Sequence, residues 1–308
     1  MFKRLVILIA GAASATVVML WLGSRPVSEH PFYAQGGLRI IAHRGGAGMG
    51  PENTLEAFRR SLAAGANALE MDLRLTRDQV PVILHDASLD RTTNGHGPVG
   101  QLTLAQVKSL DAGFSWSLDG QHYPYRNRGI KVPTLAEVLT AFPRTPLEVE
   151  IKENRPEICT SLCRMITAHQ ATKNVLIASF HTRVLARMRR VCPQVATSAG
   201  PSEALRFYWF GKLGLTSLLS PDMQALQVPL RYKRRPVITR RLVAAAHRRN
   251  LRVEVWTVND RQTLLQLTDL GVDGVLTDYP DRLTGQVPNP DPRKEELERR
   301  PAILRKAD

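Results

Sequence analysis

From residue 39 to about residue 283, short apolar runs alternate with longer stretches of helical period. The strand-like runs are Arg39–His43, Ala68–Leu73, Pro146–Lys152, Asn174–Phe180, Gln194–Ala199, Met223–Val228, Leu251–Val258 and Asp273–Asp278. Several of them are apolar on both faces, as expected of strands covered on both sides. Helical periodicity fills the gaps at Thr54–Ala64, Thr134–Phe142, Pro156–Gln170, Thr182–Cys192, Ser202–Leu219, Thr239–Asn250 and Arg261–Leu270. Eight strands with helices between them predict an α/β protein folded as a closed parallel TIM (β/α)8 barrel. One segment departs from the alternation. Thr76-Arg77-Asp78-Gln79 reads as a turn and Val80–His85 as a strand returning antiparallel to the second one. That return brings His85 back beside the end of the second strand and makes residues 76–131 an insertion.

The ends of the chain have a different character. Leu5–Leu22 is uncharged and apolar after Lys3 and Arg4; as a helix it would be about 27 Å long, close to a hydrocarbon core. No small-x-small cleavage site follows closely, so residues 1–25 read as an uncleaved anchor in preference to a secretory signal. The basic start favours a cytoplasmic N-terminus with the barrel on the extracytoplasmic side. Residues 26–38, with prolines and Gly36-Gly37, read as a linker, residues 39–285 as the barrel, and residues 286–308 as a charged tail.

Chemistry-bearing residues collect at strand ends. Glu70 and Asp72 are two apart on one strand, so they face the same side about 6–7 Å from each other. Two carboxylates aimed into one space invite a hard divalent cation, or else they meet solvent or arginines. His43 and Arg44 follow the first strand, His85 the returning strand, and Glu150 and Lys152 share a face of the third. Glu148 has the same parity one step deeper, suiting an interior partner. Sites of such barrels lie at the C-terminal strand ends, where all of these residues fall.

Charge adds a further constraint. The net charge of +14 comes largely from thirteen arginines between His181 and Arg252, opposed there only by Glu203 and Asp222. Such a half is drawn to anionic lipid, phosphate or nucleic acid, or is a solvated basic surface. No groove-like interleaving of aromatic and basic residues argues for nucleic acid. Cys159, Cys163 and Cys192 form neither a zinc pattern nor, being odd in number, a disulfide framework. Cys159 and Cys163 read as buried small hydrophobes.

The motifs resemble those of the glycerophosphodiester phosphodiesterase family. They are Ala42-His43-Arg44-Gly45, Pro51-Glu52-Asn53-Thr54, Glu70-Met71-Asp72-Leu73-Arg74, His85-Asp86, Lys131-Val132-Pro133-Thr134-Leu135, Val149-Glu150-Ile151-Lys152, Val255-Trp256-Thr257-Val258-Asn259 and Gly271 to Pro280. They occur in order over residues 39 to about 283. The resemblance implies a metal-dependent phosphodiesterase that releases glycerol 3-phosphate and an alcohol. It implies Glu70, Asp72 and Glu150 as ligands of one calcium or magnesium ion. His43 and His85 become the acid/base pair, and Arg44 and Lys152 the phosphate contacts. Trp256 offers an apolar wall for the substrate. Glu52 and Asn53 either orient the site or cap the following helix.

Two substrate classes fit, soluble glycerophosphodiesters and lysophospholipids. The second would make the enzyme a membrane-bound lysophospholipase D. It draws on the anchor, the arginine-rich half and the aromatic run Ala204–Leu215, which reads as an interfacial helix or as one packed on the barrel. A non-catalytic phospholigand-binding module would predict loss of a ligand or histidine, and none is lost.

Overall fold

A computed structural model describes residues 23–285. Strands β1 (Arg39–Ala42), β2 (Ala68–Leu75), β3 (Pro81–Ile83), β4 (Leu147–Ile151), β5 (Val175–Ala178) and β6 (Ala196–Thr197) form the first half. The second half has β7 (Ala225–Pro229), a short hairpin of β8 (Arg231–Tyr232) and β9 (Arg235–Pro236), then β10 (Arg252–Trp256) and β11 (Gly274–Thr277). Eight of these run parallel in the order β6-β5-β4-β2-β1-β11-β10-β7. The ring closes through a parallel bridge between Ser198 and Ala225, reinforced by Ala199 N donating to Ala225 O at 2.8 Å. The result is the expected eight-stranded α/β barrel.

Helices α1 (Leu55–Ala63), α2 (Leu104–Ser109), α3 (Leu135–Ala141), α4 (Cys159–Ala168) and α5 (Thr182–Val191) are followed by α6 (Pro201–Leu213), α7 (Arg240–His247), α8 (Arg261–Leu270) and α9 (Pro280–Leu283). Their starts follow from local chemistry. Thr54, Thr134, Thr239 and Asp260 each accept a backbone N–H of the first turn, and Glu137 completes a capping box with Thr134. The helix expected over Ser202–Leu219 stops at Leu213 because Gly214 takes a left-handed conformation (φ 75°). Thr216–Leu218 then forms a separate 3-10 turn.

As read from the sequence, β3 returns antiparallel to β2, with Leu73 opposite Ile83 and Leu75 opposite Pro81. The following segment has its own small core of Val82, Leu84, Leu89, Val99, Val107, Ala112 and Val132. Three bonds tie it to the β1–α1 loop and to α1. Trp116 Nε1 donates to Ala47 O at 2.9 Å, Tyr125 Oη to Met49 O at 3.4 Å, and Arg60 to Tyr125 Oη at 2.7 Å.

Residues 26–38 are more than a spacer. Phe32 and Tyr33 are buried against Leu176, Ala196 and Ala225, stopping the N-terminal end of the barrel. Arg39 stacks over both rings at 4.7 Å. Tyr33 Oη donates to Glu254 at 2.9 Å, and Gln227 Nε2 donates to Glu254 at 2.9 Å and Glu148 at 2.7 Å. Glu148 is thus an interior group of the barrel floor. Burial, then the charge of Glu254, pushes its carboxyl well above the ordinary range, and burial also raises Glu254.

The cysteines require a correction. Cys163 on α4 and Cys192 just after α5 form a disulfide, leaving only Cys159 free and buried. The odd count concealed a pair that neighbouring helices bring together. The apolar run Leu5–Leu22 and the tail 286–308 lie outside the described residues. Among the described residues no helix is long and apolar enough to cross a membrane.

Candidate active site

The register of the barrel assembles the acidic centre. In the β2–β4 pairing Asp72 stands opposite Glu150, one layer above Glu70 opposite Glu148. Glu70, Asp72 and Glu150 each offer an oxygen within 4.8 Å of the others. Such an all-oxygen set suits a hard divalent cation. Glu150 Oε1 is buried without a hydrogen-bond partner, an acceptor left over for an ion. Lys152 Nζ lies 2.9 Å from Asp72 and 2.8 Å from Glu150, so its ammonium already offsets part of this charge. Burial and then Asp72 push the Glu70 carboxyl up to about 8. Burial acts on Asp72 in the same sense, but Lys152 and Asn53 outweigh it and hold that carboxyl low. A divalent ion would offset both the burial and the Asp72 charge that raise Glu70.

The turn after β1 builds one wall. Arg44 itself has positive φ (52°), and Gly45 and Gly46 follow in left-handed conformations. At Gly45 a β-carbon would collide with the Phe58 ring, so the turn packs on α1 only with glycine there. The turn aims Arg44 N at Glu70 Oε2, 2.7 Å away. Asn53 grips Asp72 twice, Nδ2 donating to Oδ2 at 2.8 Å and Oδ1 accepting Asp72 N at 3.2 Å. Asn53 therefore orients the site, while Thr54 caps α1. Glu52 joins the Arg44 guanidinium at 3.1 Å to Arg91 at 2.7–2.8 Å.

Each histidine has a carboxylate behind it. His43 Nδ1 is 2.7 Å from Asp278 Oδ1, and Asn259 Nδ2 donates to Asp278 Oδ2 at 2.9 Å. Burial disfavours the imidazolium, but the Asp278 bond and the charge of Glu70 prevail and raise the His43 pKa. His85 Nδ1 is 2.6 Å from Asp86, which Arg91 Nε contacts at 2.6 Å. Arg91 holds Asp86 well below the usual carboxylate range. Arg74 fixes the backbone carbonyl of His85 at 2.9 and 3.1 Å, and Leu84 N donates to Asp72 O at 2.8 Å. In both rings the carboxylate is met through Nδ1. Trp256, at the end of β10, is half-buried and meets exposed Phe180 edge to face at 6.3 Å.

Nothing in their local sequence marks Asp278, Asn259, Asp86 and Arg91 for these contacts. A signal for Asp278 existed: barrel closure pairs Ala42 with Thr277, leaving His43 and Asp278 each one residue past its strand.

The chain is similar to known proteins over most of its length. A profile of the glycerophosphoryl diester phosphodiesterase family matches residues 43–282. A glycerophosphodiester phosphodiesterase of Caldanaerobacter subterraneus is 31% identical over 256 residues, covering 80% of this chain and 97% of that protein. A lysophospholipase D of Mus musculus is 24% identical over 275 residues, covering 80% and 84%. An Oleispira antarctica phosphodiesterase, solved with the product sn-glycerol-3-phosphate, superposes with a TM-score of 0.64 at 27% identity, covering 81% and 96%. The matched span takes in every strand of the barrel but β1, and the chain belongs to the glycerophosphoryl diester phosphodiesterase family.

Proposed function

We propose that this protein hydrolyses glycerophosphodiesters to glycerol 3-phosphate and an alcohol, with His43 and His85 as the acid/base pair beside one calcium or magnesium ion. The observation that carries the reading is two carboxylate-backed histidines, His43–Asp278 and His85–Asp86, beside a three-carboxylate cluster. Glu70, Asp72 and Glu150 would hold the ion, which when bound offsets charge on the non-bridging phosphoryl oxygens. Arg44 and Lys152 add positive charge on the same rim and orient the phosphate. One histidine takes the proton of a substrate hydroxyl next to the ester as that hydroxyl attacks phosphorus. The other protonates the departing alkoxide, and water opens the resulting cyclic phosphate. Asn53 and the Glu52–Arg91 pair keep Asp72, Arg44 and Asp86 in position.

A lysophospholipase D reaction, releasing lysophosphatidic acid, is the second reading. Exposed Phe180 against Trp256 supports it, an apolar lip suited to an acyl chain. Residues 1–25 serve as a membrane anchor with the barrel on the extracytoplasmic side; the Cys163–Cys192 disulfide supports an oxidising compartment.

The test offers glycerophosphocholine and lysophosphatidylcholine to the full chain with calcium, magnesium or chelator. Chelator-sensitive release of glycerol 3-phosphate, lost in His43→Ala and in His85→Ala, is expected. Preferred release of lysophosphatidic acid would move the protein to the second reading. Turnover insensitive to chelator would overturn the metal site.

A further inference from the structure

Helix α6 turns an apolar stripe outward. Its inward face is Phe207 and Gly211, both buried, with Ala204 and Tyr208 packed on the same core. Leu205, Trp209 and Leu213, spaced four apart and so in one line, are 58%, 54% and 67% exposed, and Leu215 beyond the helix is also exposed. A row of large apolar residues on one helix exceeds the scattered exposure of an ordinary surface.

Cations surround the stripe. Arg206 and Lys212 are exposed on α6 itself, and Lys212 Nζ lies 5.0 and 5.5 Å from the Tyr208 and Trp209 rings. The Arg241 guanidinium reaches Gly214, and Arg248 lines a hollow with Gly214, Thr216 and Ser217. The acid of the helix, Glu203, is taken up by Arg189 at 2.6 Å.

The chain's own course supplies the third observation. Ser24 Oγ donates to Ser217 O, and Arg25 N to Ser220 Oγ at 3.3 Å. The apolar run ending at Leu22 therefore joins the domain within about 7 Å of chain from the loop that follows α6.

We propose that the α6 stripe seats in the headgroup layer of an anionic lipid bilayer, beside the point where residues 1–22 enter it. Trp209 and the leucines reach the acyl boundary, while Arg206, Lys212, Arg241 and Arg248 meet lipid phosphates. Contact along α6 sets the barrel on its side against the membrane and leaves the strand-end rim open at the edge. The proposal rests on the anchor reading and is independent of the catalytic one.

The full chain is reconstituted in phosphatidylcholine–phosphatidylglycerol vesicles whose acyl chains are brominated near the headgroups, and tryptophan fluorescence is compared with Trp209→Phe. The emission lost in that variant should be quenched at least twofold by bromolipid, and less so in vesicles of phosphatidylcholine alone. A Leu205→Gln, Leu213→Gln variant should lower the quenching at least twofold while glycerophosphocholine hydrolysis stays unchanged. If the protein floats with vesicles but Trp209 is unquenched, the docking falls and the anchor stands. Shielding of that Trp209 from acrylamide would then point to a second copy on α6. Failure to float overturns both readings, and equal quenching without phosphatidylglycerol overturns the anionic surface.

Discussion

Asp278→Asn isolates the contribution of the carboxylate behind His43. Asp278 uses one oxygen for His43 Nδ1 and the other for Asn259 Nδ2, and its own N–H donates to Asn259 Oδ1 at 2.9 Å. Asn259 Oδ1 also accepts Thr277 Oγ1 at 3.2 Å, and flipping its amide would set NH2 against the Asp278 N–H. The new amide must point its NH2 either at the Asn259 NH2, donor against donor, or at His43 Nδ1, which then has to be an acceptor. In the second arrangement the ring proton moves to Nε2 and the imidazole faces the substrate in the other tautomer. A hydrogen bond to a charged partner is worth about 1.5–3 kcal/mol, equivalent to about ten- to a hundredfold in rate when felt at the transition state. We expect kcat for glycerophosphocholine to fall by that factor with KM nearly constant. The pH-rate limb belonging to His43 should move to lower pH, because the bond that raises its pKa is weakened. That direction holds whether His43 gives or takes the proton. An unchanged kcat with an unmoved limb would refute the role of Asp278.

Other outcomes test the scaffold. Phe32→Ala removes a buried ring from the barrel floor and should cost about 3–5 kcal/mol in urea unfolding; a loss below about 1 kcal/mol would show that the floor holds without it. Glu148 and Glu254 are both raised above the ordinary 4.5 in the native state, so folding retains protons that the unfolded chain releases. Their contribution is complete below the unfolded carboxyl range and declines as pH rises toward the folded pKa. The stability advantage of wild type over Glu254→Gln should therefore shrink as pH rises above the ordinary carboxyl range, and a widening gap would contradict the proton placement. Reduction of the disulfide, whose cysteines are 29 residues apart, should cost about 3–4 kcal/mol by loop entropy. Thiol titration of the denatured, unreduced protein should count one reactive cysteine, and three would exclude the pairing.

Legibility in the sequence followed the range of the interaction. The parity of Glu70 with Asp72 and of Glu150 with Lys152 needs only the strand's period of two, and the structure keeps each pair on one side. The β2–β3 return was readable from its turn, with Gln79 at positive φ (62°). The floor of the barrel was hidden, because Tyr33 and Glu254 are 221 residues apart and neither carries a mark of the other. Pro31 and Gly36-Gly37 signal a loop, and nothing local says that Phe32 and Tyr33 between them fill a barrel. The Cys163–Cys192 pair was hidden for the same reason. Asp86 was in view beside His85, but its role depends on Arg91, which only the folded insertion brings to Glu52.

The insertion also bears on how this protein can diverge. It hangs from the β2–β3 hairpin, packs on its own small core, and supplies none of the eight parallel strands. Its length and sequence can drift without shifting the register that sets Asp72 opposite Glu150. Yet Trp116 and Tyr125 bond to the backbone of Ala47 and Met49, close behind His43 and Arg44. Variation in residues 92–131 is thus felt behind His43 and Arg44, while Arg91, which holds Asp86 and Glu52, has to be kept. A lineage could reshape the ground behind His43 and Arg44 by rewriting this segment around Arg91, with the barrel's carboxylates still in register.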